Sequence, residues 1–275
     1  MVQMSTVWDR TTAFASSALP AIMPIALVLL FLPVSIQLAL TPLLLKQAAA
    51  VRIVAMAVFW AIELLGTLSL MVLALGATLR PGEAVRGALP RLGPTIAIFI
   101  LMFVAIVILC LPIGGILAAA GMNMAELRAG NPAGMGSMSA GGAWFVLIYV
   151  LVLLVFAFWI TARLLVIEPV ILAERRGFGA IARAFRMTRG LALRIVGVLI
   201  LYAIVATIAV LAAQTVFGAI FALVAPNDGD IGIATVLTSV VVGAVSTAFK
   251  VIAAIFVAKL YMAITEAGEQ AADPV

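Results

Sequence analysis

The stretch LVIEPVILAERRGFGAIARAFRMTRGLALR, residues 165–194, decides how this chain reads. A long apolar run precedes it and another follows. Counting Arg163 just upstream, Arg175, Arg176, Arg183, Arg186, Arg189 and Arg194 make seven of the sixteen cationic side chains of the protein. Arginines gathered between two apolar runs mark a connection that stays on the cytoplasmic side of a membrane.

The rest of the composition agrees. Of 275 residues, 66% are hydrophobic and 10% charged, and the mean hydropathy is +1.33. Soluble domains carry roughly 25% charged residues, so a bilayer rather than water must cover this surface. The net charge of +5 is modest. Its clustering suits anionic lipid headgroups, and no soluble basic domain exists to hold nucleic acid. Cys110 is the single cysteine and lies in an apolar run, so no disulfide within the chain and no thiolate cluster are expected. The absence of histidine removes the usual general base and the commonest metal ligand. No zinc spacing, nucleotide loop or nucleophile–base pair is recognisable. The chain is therefore expected to be no enzyme and to need no cofactor or metal.

The expected fold class is all-α: a polytopic transmembrane helical bundle of about six spans, with interfacial amphipathic helices on the cytoplasmic face. Residues 1–17 read as a short interfacial helix in which Val7, Thr11, Phe14 and Ala15 share a face and Trp8 sits at headgroup depth. The membrane domain covers 18–265, with spans at about 18–45, 51–77, 94–121, 144–166, 191–225 and 231–265. Pro33 should kink the first. The Gly/Ser/Met-rich interval 122–142 reads as a mobile loop and 226–230 as an acidic turn. An acidic, loose tail follows at 266–275. The N-terminus lacks a basic n-region, so no cleavable signal is expected.

Six spans put both termini on one side. With the termini inside, the inner segments hold Arg10, Arg80, Arg86, Arg91, the seven arginines from Arg163 to Arg194, and Lys259: twelve cations. The outer loops hold Lys46, Arg52 and Arg128, which is three. That bias predicts cytoplasmic termini. A weak internal repeat is also visible. A shift of 96 residues lays Arg80, Ala84 and Ala88 on Arg176, Ala180 and Ala184.

At about 100° per residue, a helix over 176–188 gathers Arg176, Arg183 and Arg186 within roughly 80° and puts Phe178, Ile181 and Phe185 opposite. Such a helix lies flat on the inner leaflet, rings in the acyl boundary and guanidiniums among phosphates. Each cation there contributes about 1 kcal/mol. Arg175, Arg176, Arg183, Arg186, Arg189 and Arg194 thus form a candidate surface for lipid headgroups or a partner. The bland alternative is that they set topology and nothing more.

Pro169, Glu174, Ala180-x-x-Arg183-Ala184-x-x-Met187-Thr188-Arg189-Gly190 and the apolar run that follows resemble a bacterial family. It is the membrane domain fused to some glycerophosphoryl diester phosphodiesterases, with the related YciC-type inner-membrane proteins. The likeness is best over 163–201. Ala184 stands where that family usually has serine, and Met187 where it has leucine. The resemblance implies a multi-pass bacterial inner-membrane protein without established activity. The family's phosphodiesterase chemistry belongs to a separate soluble barrel with histidines and metal-binding acids, so no catalytic residue carries over.

Glu63 and Lys250 fall near mid-membrane in spans that run the same way, so their depths match within a turn or two. A lone charge there costs about 2.5–3.5 kcal/mol, which pairing offsets. A structural pair, or a neutral Glu63 bonded to Thr67, competes with an ion or proton site. Pro169 disfavours helix at Glu168, so the chain is expected to turn there, pinned by an Arg163–Glu168 bond. Gly66, Gly114 and Gly115 read as points of close helix packing.

The sequence thus points to a non-catalytic inner-membrane component acting on membrane lipids, anionic ones above all, through residues 175–194. A protein partner or a second copy of the chain is the other candidate for that surface. The rival reading is a small transporter or channel subunit built on Glu63 and Lys250.

Overall fold

The structure is a computed structural model, and it describes residues 3–119, 122–123, 131, 140–175, 177–224 and 232–272. Most of the interval 122–142, the acidic turn 226–230 and Arg176 lie outside the described residues. Among those described there are nine helices and no strand: α1 (Met4–Ser17), α2 (Leu19–Lys46), α3 (Ala49–Ala74), α4 (Pro81–Ala119), α5 (Ala140–Leu164), α6 (Ile167–Glu174), α7 (Gly179–Met187), α8 (Ala192–Val224) and α9 (Ile233–Ala272).

The chain is an all-α polytopic bundle. Six stretches are long and apolar enough to cross a membrane, carried by α2, α3, α4, α5 with α6, α8 and α9. Their outer faces are apolar too: Phe103 is 66% exposed and Leu223 86%. Water would not tolerate so continuous an apolar surface, and hydrocarbon does.

The chain divides into two compact units, Ala97–Thr161 and the remainder. In the smaller, Tyr149 donates a hydrogen bond to the Leu109 carbonyl (3.1 Å). The larger is organised around α9, which touches α1, α2, α3, α6 and α8. Leu30, Leu68, Leu73, Ile255 and Leu260 form its sealed core. Truncating any of these to alanine costs about 2–5 kcal/mol.

Proline writes the shape of α2. Residues 26–31 form a π-helical stretch between Pro24 and Pro33. Pro33 has no N–H to give and its ring crowds the preceding turn, so the helix widens there instead of breaking. Small residues set the neighbouring distances. A Cβ on Gly66 of α3 would lie 2.9 Å from Leu29 Cβ, and one on Gly243 of α9 would lie 3.2 Å from Ser35 Cβ. Close packing at Gly66 is therefore real, whereas Gly114 and Gly115 have nothing within 4 Å of their Cβ positions.

Three local expectations are corrected. The turn after α5 falls at Leu165 and Val166, and Glu168 is helical. Pro169 sits in the first turn of α6, where a missing N–H costs nothing, and this outweighs the bias against helix before proline. Secondly, the third span is expected from 94, yet its helix α4 already begins at Pro81 and runs through Gly93 and Pro94 without a break. The carbonyls that Pro90 and Pro94 orphan belong to Arg86 and Pro90, which are exposed. Thirdly, the acidic tail is not loose up to Ala272: α9 continues through it, and Glu266 pairs with Arg10 of α1 at 2.8 Å.

Candidate functional site

The basic linker is built from α6, α7 and the start of α8. α6 ends at Arg175, whose φ of +53° is a left-handed conformation rare outside glycine. This reversal turns Glu174 back toward the next helix. Arg183 Nε donates to Glu174 Oε1 at 2.9 Å, and the Tyr261 hydroxyl of α9 reaches the same oxygen at 3.4 Å. Arg163 Nη1 at the end of α5 donates to the Phe185 carbonyl at 3.1 Å, and its guanidinium carbon lies 5.9 Å from the Phe185 ring centroid. The sequence reading expected Glu168 as the pin for this turn; the pin found for Nη1 is Phe185, 22 residues on. The Thr188 hydroxyl lies 2.8 Å from the Ala184 carbonyl and 3.2 Å from that of Arg163. Gly190 then takes φ +82° and releases the chain into α8.

Two consequences follow for the predicted arginines. Arg183 is drawn inward, whereas Arg175, Arg186, Arg189 and Arg194 are exposed. The helix, expected over 176–188, is described from Gly179 to Met187 and has three sides rather than two. Ala180, Ala184 and Thr188 are fully buried, Ile181 and Phe185 half-buried, and Phe178 is 62% exposed. Buried alanines let α7 approach closely, and Ala184 offers only a methyl group to that packing. The 96-residue repeat lands on the same environment: Ala84 and Ala88 at the start of α4 are fully buried as well, with Arg80 and Arg86 exposed beside them.

The intramembrane charges meet. Lys250 Nζ of α9 donates to Glu63 Oε2 of α3. The Glu63 side chain is 14% exposed and that of Lys250 40%. Thr67 is not the carboxylate's partner, since its hydroxyl donates to the Glu63 backbone carbonyl at 3.0 Å. Lys250 also borders a cavity of about 390 Å³ between α8 and α9, whose polar lining is limited to Thr207, Ser246, Tyr202 and Lys250 itself.

Some organising residues escaped the sequence reading. Lys259 Nζ donates to the Ala74 carbonyl at 2.6 Å, which satisfies the last turn of α3 with a cation where the helix dipole favours one. The same ammonium lies 4.4 Å from the Phe14 ring centroid of α1. Together with Arg10–Glu266, this anchors α1 along α9 by its buried Val7 and Thr11. The available signal was a cation one turn from the end of an apolar run, without a sequence neighbour to identify its partner.

Compared with models of protein families, with characterised proteins and with solved structures, the chain matches none.

Proposed function

We propose that this membrane protein is a non-catalytic component of a bacterial inner membrane that engages anionic lipids through the arginines of residues 175–194, with both termini cytoplasmic. One observation carries the reading. Arg175, Arg186, Arg189 and Arg194 are exposed on a linker whose own fold is held by Glu174, Arg183, Arg163 and Thr188. A braced scaffold presents guanidiniums at fixed spacing, as phosphate recognition needs. The kinship with the membrane domain of glycerophosphoryl diester phosphodiesterases belongs to the same proposal. Its residues Pro169, Glu174, Arg183, Thr188 and Gly190 have structural work here, in α6, in the Glu174–Arg183 pair and in the turn into α8. The test is reconstitution into nanodiscs of mixed phosphatidylglycerol and phosphatidylcholine. The wild-type chain should enrich phosphatidylglycerol beside it, and Arg175→Gln/Arg186→Gln/Arg189→Gln should lower that enrichment several-fold at each removed cation, at about 1 kcal/mol apiece. Equal enrichment in both removes the reading.

The cavity beside Lys250 favours a second reading, a small transporter or channel subunit using the Glu63–Lys250 pair. Flux of protons or monovalent cations into proteoliposomes should then change with Glu63→Gln. Identical flux with and without the substitution excludes it.

A further inference from the structure

A groove follows the seam between α8 and α9. Near α1 it opens as a cavity of about 220 Å³ walled by Trp8, Leu165, Ile195, Leu199, Phe256 and Val257. Beyond Tyr202 and Ala253, which line both, it continues as the cavity of about 390 Å³ past Lys250 and Ala206 to Ser246, Val210 and Leu211. Tyr202 cannot swing freely across it: its hydroxyl donates to the Phe249 carbonyl, and the two rings meet edge to face at 5.7 Å. From Ile195 to Leu211 the groove runs along roughly 24 Å of helix. That exceeds the depth of one leaflet, about 15 Å of a hydrocarbon core of about 30 Å.

Such a groove does not stay empty or wet in a bilayer. Apolar cavities exclude water, and an unfilled one forfeits the dispersion contacts of its walls. An acyl chain is the filler at hand. The α1 end adds a headgroup address: Arg194 precedes Ile195 of the wall, Arg189 lies in the turn before it, and both are exposed. Trp8 is 45% exposed at the mouth, an amphipathic ring suited to the interface. Just beyond Ala253, Lys250 lines the groove, and its ammonium donates to Glu63.

We propose that this groove binds one anionic phospholipid, with an acyl chain filling both cavities past Tyr202 and the phosphate against Arg194 and Arg189 beside Trp8. The chain also covers the groove side of the Glu63–Lys250 pair and keeps water off it. The headgroup half rests on the basic-surface reading above; the acyl half stands without it.

The experiment uses the full chain in nanodiscs with phosphatidylglycerol carrying a photoactivatable diazirine midway along one acyl chain. Adducts are mapped to peptides by mass spectrometry, with a matched phosphatidylcholine probe in parallel. Adducts should concentrate on 195–211 and 246–257, with at least a five-fold higher yield for phosphatidylglycerol. Ala253→Trp, which fills the groove, should lower the yield at those peptides at least five-fold. Should that variant not fold, the wild-type map decides alone. Adducts spread evenly over outward residues of other helices, such as Val54, Phe103 and Leu151, overturn the proposal, as does a second copy of the chain cross-linked into the groove. Equal yield from phosphatidylcholine at the groove peptides overturns the headgroup half, and with it the lipid preference assigned to the basic surface, while leaving the acyl site standing.

Discussion

Lys250 Nζ of α9 donates its hydrogen bond to Glu63 Oε2 of α3, joining residues 187 positions apart inside the membrane-spanning bundle. Removing one member strands the other charge, whereas removing both does not. Glu63→Ala or Lys250→Ala alone should therefore destabilise the protein by about 3–5 kcal/mol. The double replacement Glu63→Leu/Lys250→Met should fall within about 1–2 kcal/mol of wild type. Thermal or denaturant unfolding in detergent measures all of these. Additive losses in the double variant would mean that the two side chains do not act as a pair.

The approach of α9 to α2 makes a second prediction. Gly243 is where Ser35 presses on the α9 backbone, and an added Cβ would sit 3.2 Å from Ser35 Cβ and 3.3 Å from its Cα. Backbone cannot yield as a side-chain tip can. Gly243→Ala should cost about 1–3 kcal/mol, despite the gain in helix propensity of roughly 1 kcal/mol. Ser35→Gly should recover most of the loss. A neutral Gly243→Ala would show that the helices sit farther apart than described.

The turn into α8 makes a third. The single proton of the buried Thr188 hydroxyl is shared between the carbonyls of Ala184 and Arg163. Thr188→Val keeps the shape and should lose about 1–3 kcal/mol, while Thr188→Ser should hold most of it. Gly190→Ala, forced to φ +82°, should lose about 1 kcal/mol or more. Arg186→Gln, on the exposed side of the same helix, should stay within about 0.5 kcal/mol. If Arg186→Gln proved as costly as Thr188→Val, the division between bracing and exposed residues would be wrong.

Much of this architecture was legible in the residues. Apolar runs that long have few alternatives to spanning helices, and Glu63 and Lys250 were matched by depth because their spans run the same way. The fate of Arg183 was not legible. Helical periodicity placed it with Arg176 and Arg186, but the left-handed Arg175 folds Glu174 back beneath it, and no pattern in the sequence announces a non-glycine residue in that conformation. Helix ends were blurred for a related reason. Pro94 and Pro169 read as boundaries, yet one lies within a continuing helix and the other in a first turn, and their neighbours, not their own chemistry, decide which. Lys259 and Glu266 have partners 185 and 256 residues away, beyond the reach of any local rule.

The bracing of the linker makes a fourth prediction. Glu174→Ala removes the acceptor of Arg183 and should cost about 1.5–3 kcal/mol. In the Arg183→Gln background the same change should cost much less. Equal costs in the two backgrounds would remove Glu174 as the brace.

Which side of the membrane the arginine-rich linker faces is decided most directly by one labelling experiment. Cys110 is the sole cysteine, so Arg186→Cys in a Cys110→Ser background places a single thiol on the exposed side of α7. A membrane-impermeant maleimide should modify it in inside-out membrane vesicles and leave it untouched in right-side-out ones. Modification from the outer face, with protection from the inner, would contradict the account.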